Sequence, residues 1–311
     1  MHGARSEMTG RVSIGPYALV RRLGRGGMAE VHLARAVGAS GFERLVAIKT
    51  LAPELAGEAE LERALIHEAT LAGRLAHRNL VAVLDLGVAD GGYYVVLEYV
   101  DGGDLATRAR AHALPEPLAL HVVHELALGL AYLHDARDSR GLPLGIVHRD
   151  VAPANVLVST TGDVKLGDFG VAKATALVDR TAAGTRKGRF AYMAPEQLAG
   201  APVTAAADQF GLAVTLVELL AGHRPFPGQN ADASSWQLLD EIRTTAPVLD
   251  GVALELQPII ARALAVEARD RFASVDELRR ALAVIQRTRA TVGSSELAAW
   301  VRATSSTPPS P

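Results

Sequence analysis

The sequence predicts an α+β chain with a small strand-rich N-terminal part carrying one main helix, followed by a larger helical part. Three observations carry this reading. Up to Tyr99 the apolar residues fall in short strand-like runs, Tyr17–Leu23, Val31–Ala36, Leu45–Leu51, Val81–Leu86 and Tyr93–Tyr99. Only Glu58–Leu75 breaks that pattern, with Leu61, Leu65, Ala69 and Ala72 on one helical face. Beyond Gly102-Gly103 the pattern turns helical, and Leu118–His134 and Thr204–Ala221 are long and strongly apolar.

Composition bounds the function classes. A chain of 311 residues, 49% of them hydrophobic, can bury one large or two modest cores. The net charge of −2 points to neither a nucleic-acid nor a membrane surface. There is no cysteine, which excludes disulfides and thiolate metal sites and fits a reducing compartment. Met1–Ser13 has no apolar core of a signal peptide, and no apolar run approaches the ~18 residues of a membrane span. The expected location is cytoplasmic.

Within the strand-rich part, Gly24-Arg25-Gly26-Gly27-Met28-Ala29-Glu30-Val31 joins two strands. Such a loop is either a plain hairpin turn or a cradle whose N–H groups face phosphate oxygens. A strand on both sides argues against a dinucleotide fold, which needs a helix after the glycines. Lys49 sits in the apolar strand Val46-Ala47-Ile48-Lys49, where an ammonium needs an anionic partner or must reach water. Glu58, Glu60 and Glu62 read as a solvated face.

The stretch Ile146–Gly170 organises the rest. Asn155–Val158 and Val164–Leu166 form a hairpin around the turn Ser159–Asp163. A hairpin brings its outer ends together, so Asp150, Asn155 and Asp168 can converge. They can hold a hard divalent cation with a carboxylate as base beside it, or serve as ordinary turn residues. Asp135–Gly145, upstream, reads as a surface insertion.

The order His148-Arg149-Asp150, Asn155, then Asp168-Phe169-Gly170 resembles the signature set of protein kinases. Together with the Gly-rich loop, Lys49 and Ala194-Pro195-Glu196, it identifies a resemblance to bacterial eukaryotic-like (Hanks-type) serine/threonine protein kinases, over about Tyr17–Thr288. The resemblance implies the bilobal protein-kinase-like fold. It implies a flexible N-terminus over 1–16, a kinase domain over 17–288 and a Ser/Thr/Pro-rich tail over 289–311. Within the domain it implies an N-lobe of 17–98, a hinge of 99–102 and a C-lobe of 103–288.

By the same resemblance, Asp150 is the base that orients a substrate hydroxyl and accepts its proton. Lys49 holds the α- and β-phosphates of ATP and pairs with Glu68. Asn155 and Asp168 hold Mg²⁺. The nucleotide rests on Leu23, Gly24, Arg25, Gly26, Gly27, Met28, Ala29, Glu30 and Val31, on Ala47, Leu97 and Leu157, and on the backbone of Glu98 and Val100. Arg149 receives a phosphate from Thr175, Thr181 or Thr185. Arg271 pairs with Glu196, and Asp208 accepts from the catalytic-loop backbone. The implied partners are protein substrates and a second copy for mutual phosphorylation.

The chain departs from the family at four places. Ala29 replaces a glycine, and Ala152 replaces the lysine two residues after the catalytic Asp. Arg189 stands where a threonine is usual, and Ala213 replaces a glycine. An Arg189 supplying the charge missing at Ala152 is the compensated reading. An ATP-binding pseudokinase scaffold and a small-molecule kinase are the alternatives. Ser274-Val275-Asp276-Glu277 predicts a capping box opening the last core helix. Glu296–Arg302 predicts a short docking helix, and Thr304–Pro311 a disordered tail.

Overall fold

The computed structural model describes residues 13–168, 190–226 and 234–305. These form two compact units.

The first unit holds a six-stranded antiparallel sheet of order β1-β2-β3-β4-β6-β5. Its strands are β1 (Ser13–Ile14), β2 (Tyr17–Arg25), β3 (Ala29–Val37), β4 (Glu43–Leu51), β5 (Val83–Ala89) and β6 (Gly92–Glu98). Ser13–Ile14 pair with Tyr17–Ala18, so the sheet begins inside the stretch expected to be flexible. Asp90 and Gly91, both at positive φ, close the β5–β6 hairpin.

Alternation along β4 sends neighbouring side chains to opposite faces. Val46 and Ile48 join Ile14, Ala34, Tyr94 and Val96 in one buried cluster. The other face packs on α1 (Ala59–Ala72), where Leu65 and Ala69 meet Val95. Ala47 and Lys49 alternate with Val46 and Ile48 and therefore lie on the α1 face. That alternation positions the lysine for the helix.

The second unit takes in Leu75–Val81 as well as everything from Val100 onward. The short segment departs from the expected division because its polar groups are satisfied there. Asn79 donates to Val164 O (3.0 Å) and to Glu125 (2.9 Å), and Leu80 bridges Leu166. A three-stranded antiparallel sheet contains β7 (Gly102–Asp104), β8 (Val156–Ser159) and β9 (Val164–Leu166). Gly102 is required at its position, because a Cβ there would lie 1.9 Å from Val158 O.

The helices are α2 (Leu105–Ala111), α3 (Glu116–His134), α4 (Pro195–Leu198), α5 (Ala206–Ala221), α6 (Ser235–Thr244), α7 (Gln257–Ala263), α8 (Val275–Gln286) and α9 (Ser294–Ser305). α3 and α5 are apolar on nearly all sides and pack on each other in the core, with α8 against α3. Ser274 Oγ caps α8 by accepting from Glu277 N (3.2 Å). Glu277 does not complete the expected reciprocal box. Its carboxylate reaches one residue further back and accepts from Ala273 N (2.9 Å).

The C-terminal expectation is corrected as well. The docking helix runs through Ser305, longer than predicted, so Thr304 and Ser305 are helical and not tail. Leu297, Ala298 and Val301 are buried against the body. The spacing of these three residues on one face outweighs the Ser/Thr composition around them.

Candidate active site

In the first unit β2 and β3 flank the Gly-rich loop, and Gly26 N donates to Ala29 O (2.8 Å) to close it. The loop is a strand–turn–strand, as its context predicts. Met28 O accepts from Ala52 N (3.0 Å). Arg25 forms ion pairs with Glu54 and with Glu30 (3.2 Å), so these two loop side chains are engaged with protein partners.

Lys49 Nζ donates to Glu68 Oε1 at 2.9 Å, with both side chains 12% exposed. Two residues of opposite charge, one on β4 and one on α1, thus neutralise each other in a largely buried place. Leu97 and Ala47 are cross-strand partners. Glu98 N donates to Ala82 O (2.9 Å), which ties the end of β6 to the entry of β5.

In the second unit the loop before β8 is held from beneath. Asp208, in the first turn of α5, is 1% exposed. Its carboxylate accepts from His148 N (2.8 Å), Arg149 N (2.7 Å) and His134 Nε2 (2.8 Å). Arg149 sits at φ +67°, a conformation that costs a non-glycine residue about 1–3 kcal/mol unless its surroundings fix it. The two bonds to Asp208 help supply that fixation. Gln197 Nε2 adds a third by donating to Arg149 O (3.0 Å). Asp168, also named as a site residue and just beyond β9, has positive φ as well, at +55°.

Asp150 is buried and lies beside Asn155. Asn155 Nδ2 donates to Asp150 O (2.7 Å) and to Asp150 Oδ2 (2.8 Å). This fixes the carboxylate and turns the amide oxygen of Asn155 to the opposite side. Gly167 N donates to Asn155 O (2.9 Å), so the residue before Asp168 is stitched to the same loop. The predicted hairpin thus brings its outer ends together.

Asp150, Ala152, Pro153, Ala154 and Asn155 line a cavity of 480 Å³ together with Ala106, Ala109 and Arg110 of α2, and with Tyr192, Glu218, Leu219 and Gly222. Tyr192 donates its hydroxyl to Glu218. Burial, and then the Glu218 carboxylate, push the phenol well above its ordinary pKa, so it stays protonated. Glu196, which closes the segment upstream of α5, meets Arg271 through two hydrogen bonds, 2.7 and 2.8 Å.

A match to the protein kinase domain runs over residues 17–282. The chain belongs to the protein kinase family. It is 40% identical over 274 residues to the tyrosine-protein kinase MasK of Myxococcus xanthus, covering 86% of this chain and 42% of that one. It is 33% identical over 265 residues to the serine/threonine-protein kinase PknE of Mycobacterium bovis, covering 85% and 45%. The kinase domain of Mycobacterium tuberculosis PknI superposes with a TM-score of 0.66 at 32% identity, over 88% of this chain and 97% of that one. The kinase chain spans about half the length of the curated relatives it matches.

For this kinase the donor chemistry fits a hard cation. Asn155 and Asp168 offer amide and carboxylate oxygens, the ligand class that Mg²⁺ takes. Among the described residues no group of three or more His, Cys, Asp or Glu could hold a metal by itself. A cation held by two side chains would complete its shell with phosphate oxygens and water. No helix among the described residues is long and apolar enough to cross a membrane.

Two kinds of site residue escape local reading. His134 and Gln197, which brace the loop through Asp208 and Arg149, carry no motif of their own. Glu218 reaches the cavity from the far end of α5, where its helix reads only as buried. Phe169, Gly170, Thr175, Thr181, Thr185 and Arg189 lie outside the described residues, and with them the compensating role expected of Arg189.

Proposed function

We propose that this chain is a serine/threonine protein kinase that transfers the γ-phosphoryl group of MgATP to protein hydroxyls. The observation that carries the reading is the Asp150–Asn155 pair, held on a loop braced by Asp208 and opening on a 480 Å³ cavity. Asp150 orients the acceptor hydroxyl and takes its proton as the new P–O bond forms and ADP leaves. Lys49, kept in place by Glu68, serves the α- and β-phosphates. Gly24–Val31 supplies backbone donors to the phosphates, and Val100 supplies backbone to the adenine. Asn155 and Asp168 would hold Mg²⁺, whose charge would offset that of the phosphates. Little covalent chemistry is asked of the protein, and positioning with charge neutralisation supplies the rate.

An ATP-binding pseudokinase has no need of a braced Asp150, so that reading is not favoured. A second reading concerns the acceptor. Ala152 places a methyl group where serine/threonine kinases carry lysine, and MasK is named a tyrosine-protein kinase. A phenolic acceptor is therefore the competing substrate class. The cytoplasm, where ATP is available, is the proposed place of action.

The test is transfer from γ-labelled ATP to a generic basic protein, with the acceptor residues identified by mass spectrometry. Label on serine and threonine supports the first reading. Label confined to tyrosine selects the second, and ATP binding without label rejects both. Autophosphorylation whose specific rate rises with enzyme concentration supports mutual phosphorylation between copies.

A further inference from the structure

Helix α9 lies beyond the stretch matched by the protein kinase domain, yet it is bound into the second unit. Leu297 and Val301 are fully buried. Gly162 (φ +88°) touches its first turn so closely that a Cβ would lie 1.9 Å from Ser294 O.

Two arginines then tie α9 to the linker that follows Val100, Arg108 directly and Arg302 through the backbone of Thr160. Arg108 of α2 donates to Val301 O and Thr304 Oγ1, each at 2.9 Å, and to Gly102 O. Its guanidinium thus lies against the last turns of α9, where the helix dipole is negative. Arg302 donates to Thr160 O (2.7 Å), and Thr160 N donates to Asp101 O (2.6 Å). Asp101 and Gly102 are thus both tied to the same helix, one through Thr160 and one through Arg108. On the other side of the strand Gly102 is pressed against Val158. The linker backbone is therefore fixed from two directions.

We propose that α9 is a support for the nucleotide-binding linker, and that Arg108 and Arg302 are positioning residues for ATP. The proposal rests on the kinase reading, in which the backbone of Val100 meets the adenine. A linker fixed in advance loses less conformational freedom when nucleotide binds.

The test uses the full chain and its Arg108→Ala and Arg302→Ala variants, with Arg280→Ala as control. Arg280 lies on α8 and pairs only with Asp276 in the described residues. Affinity is read with a fluorescent ATP analogue and Mg²⁺, and linker order by hydrogen exchange of amides 101–104 without nucleotide. Both variants should weaken nucleotide binding about five- to tenfold, the net worth of one ordinary hydrogen bond, because they act on the nucleotide only through the linker backbone. They should speed exchange at 101–104, raise KM for ATP and leave kcat at saturating ATP unchanged. The control should match the unaltered chain.

Nucleotide affinity within twofold of the unaltered chain in both variants would overturn the proposal, whatever the exchange data show. An unaltered chain that binds no nucleotide would reject the kinase reading and the positioning role together. Exchange at 101–104 would then tell whether the clamp itself exists.

Discussion

Arg271 and Glu196 form a fork-to-fork ion pair, with Nη1 to Oε1 at 2.7 Å and Nη2 to Oε2 at 2.8 Å. Arg271 is 2% exposed, and its guanidinium also donates to Ala265 O, Ala206 O and Val266 O. Its carbon lies 5.2 Å from the centre of the Phe210 ring. An arginine so enclosed is tolerated because its donors meet acceptors.

Removing one partner strands the other. Arg271→Ala should cost about 3–5 kcal/mol of stability, the loss typical of breaking a buried pair. Arg271→Lys keeps the charge but not the fork and should also destabilise. Chemical denaturation measures both. The double variant with Glu196→Gln should lose less than the sum of the singles, since the two groups share one interaction.

Asp208 is the second buried acceptor with a defined task. Asp208→Asn replaces an oxygen acceptor of the His148 and Arg149 amides with a donor and releases Arg149 from its positive φ. The loop carrying Asp150 then loses its brace. Misplacement of about 1 Å can cost ~10²-fold in rate, so kcat should fall by that order while the protein stays folded. Steady-state kinetics beside far-ultraviolet circular dichroism reads the two effects apart.

Lys49 and Glu68 form the corresponding pair in the first unit. Loss of one preorganised donor typically costs about 10²–10³ in kcat, and Lys49→Ala should fall in that range. Glu68→Gln keeps a hydrogen-bond acceptor and should lose less. Glu62 is only half-exposed, so the control is Glu60→Gln, on the exposed first turn of α1, which should leave kcat/KM unchanged.

Much of this was readable from the chain because it is local. The alternation that puts Lys49 and Ile48 on opposite faces spans one strand, and the Asp150–Asn155 spacing spans one turn. What could not be read is long-range. His134 meets Asp208 across 74 positions, and Arg108 meets Val301 across 193. No local pattern announces either partner. The end of α9 was hidden for another reason: Thr304 and Ser305 have tail-like composition, but the helix is anchored by the buried Leu297–Val301 face and by Arg108 on Thr304.

Stability should fall on mild acidification. His121 and His124 of α3 each bury a ring nitrogen that has no hydrogen-bond partner in the described residues. Burial lowers both pKa values below the ordinary 6.5. Glu125 and Glu296 oppose that effect at His121 and Arg78 adds to it, while at His124 Arg279 adds to it and Glu125 opposes it. Above pH 6.5 the rings are neutral whether the chain is folded or unfolded. Below it the unfolded chain binds protons that the folded rings refuse, so stability drops. Melting temperatures from pH 7.5 to 5.5 should decline, and His121→Gln should flatten that decline.

The central claim is that Asp150 serves transfer and not nucleotide binding. Single-turnover transfer by Asp150→Asn, measured beside its nucleotide affinity, addresses this most directly. The account predicts affinity within about twofold of the unaltered chain and a rate lower by at least ~10²-fold, the range typical of a lost general base. Undiminished transfer by Asp150→Asn would contradict it.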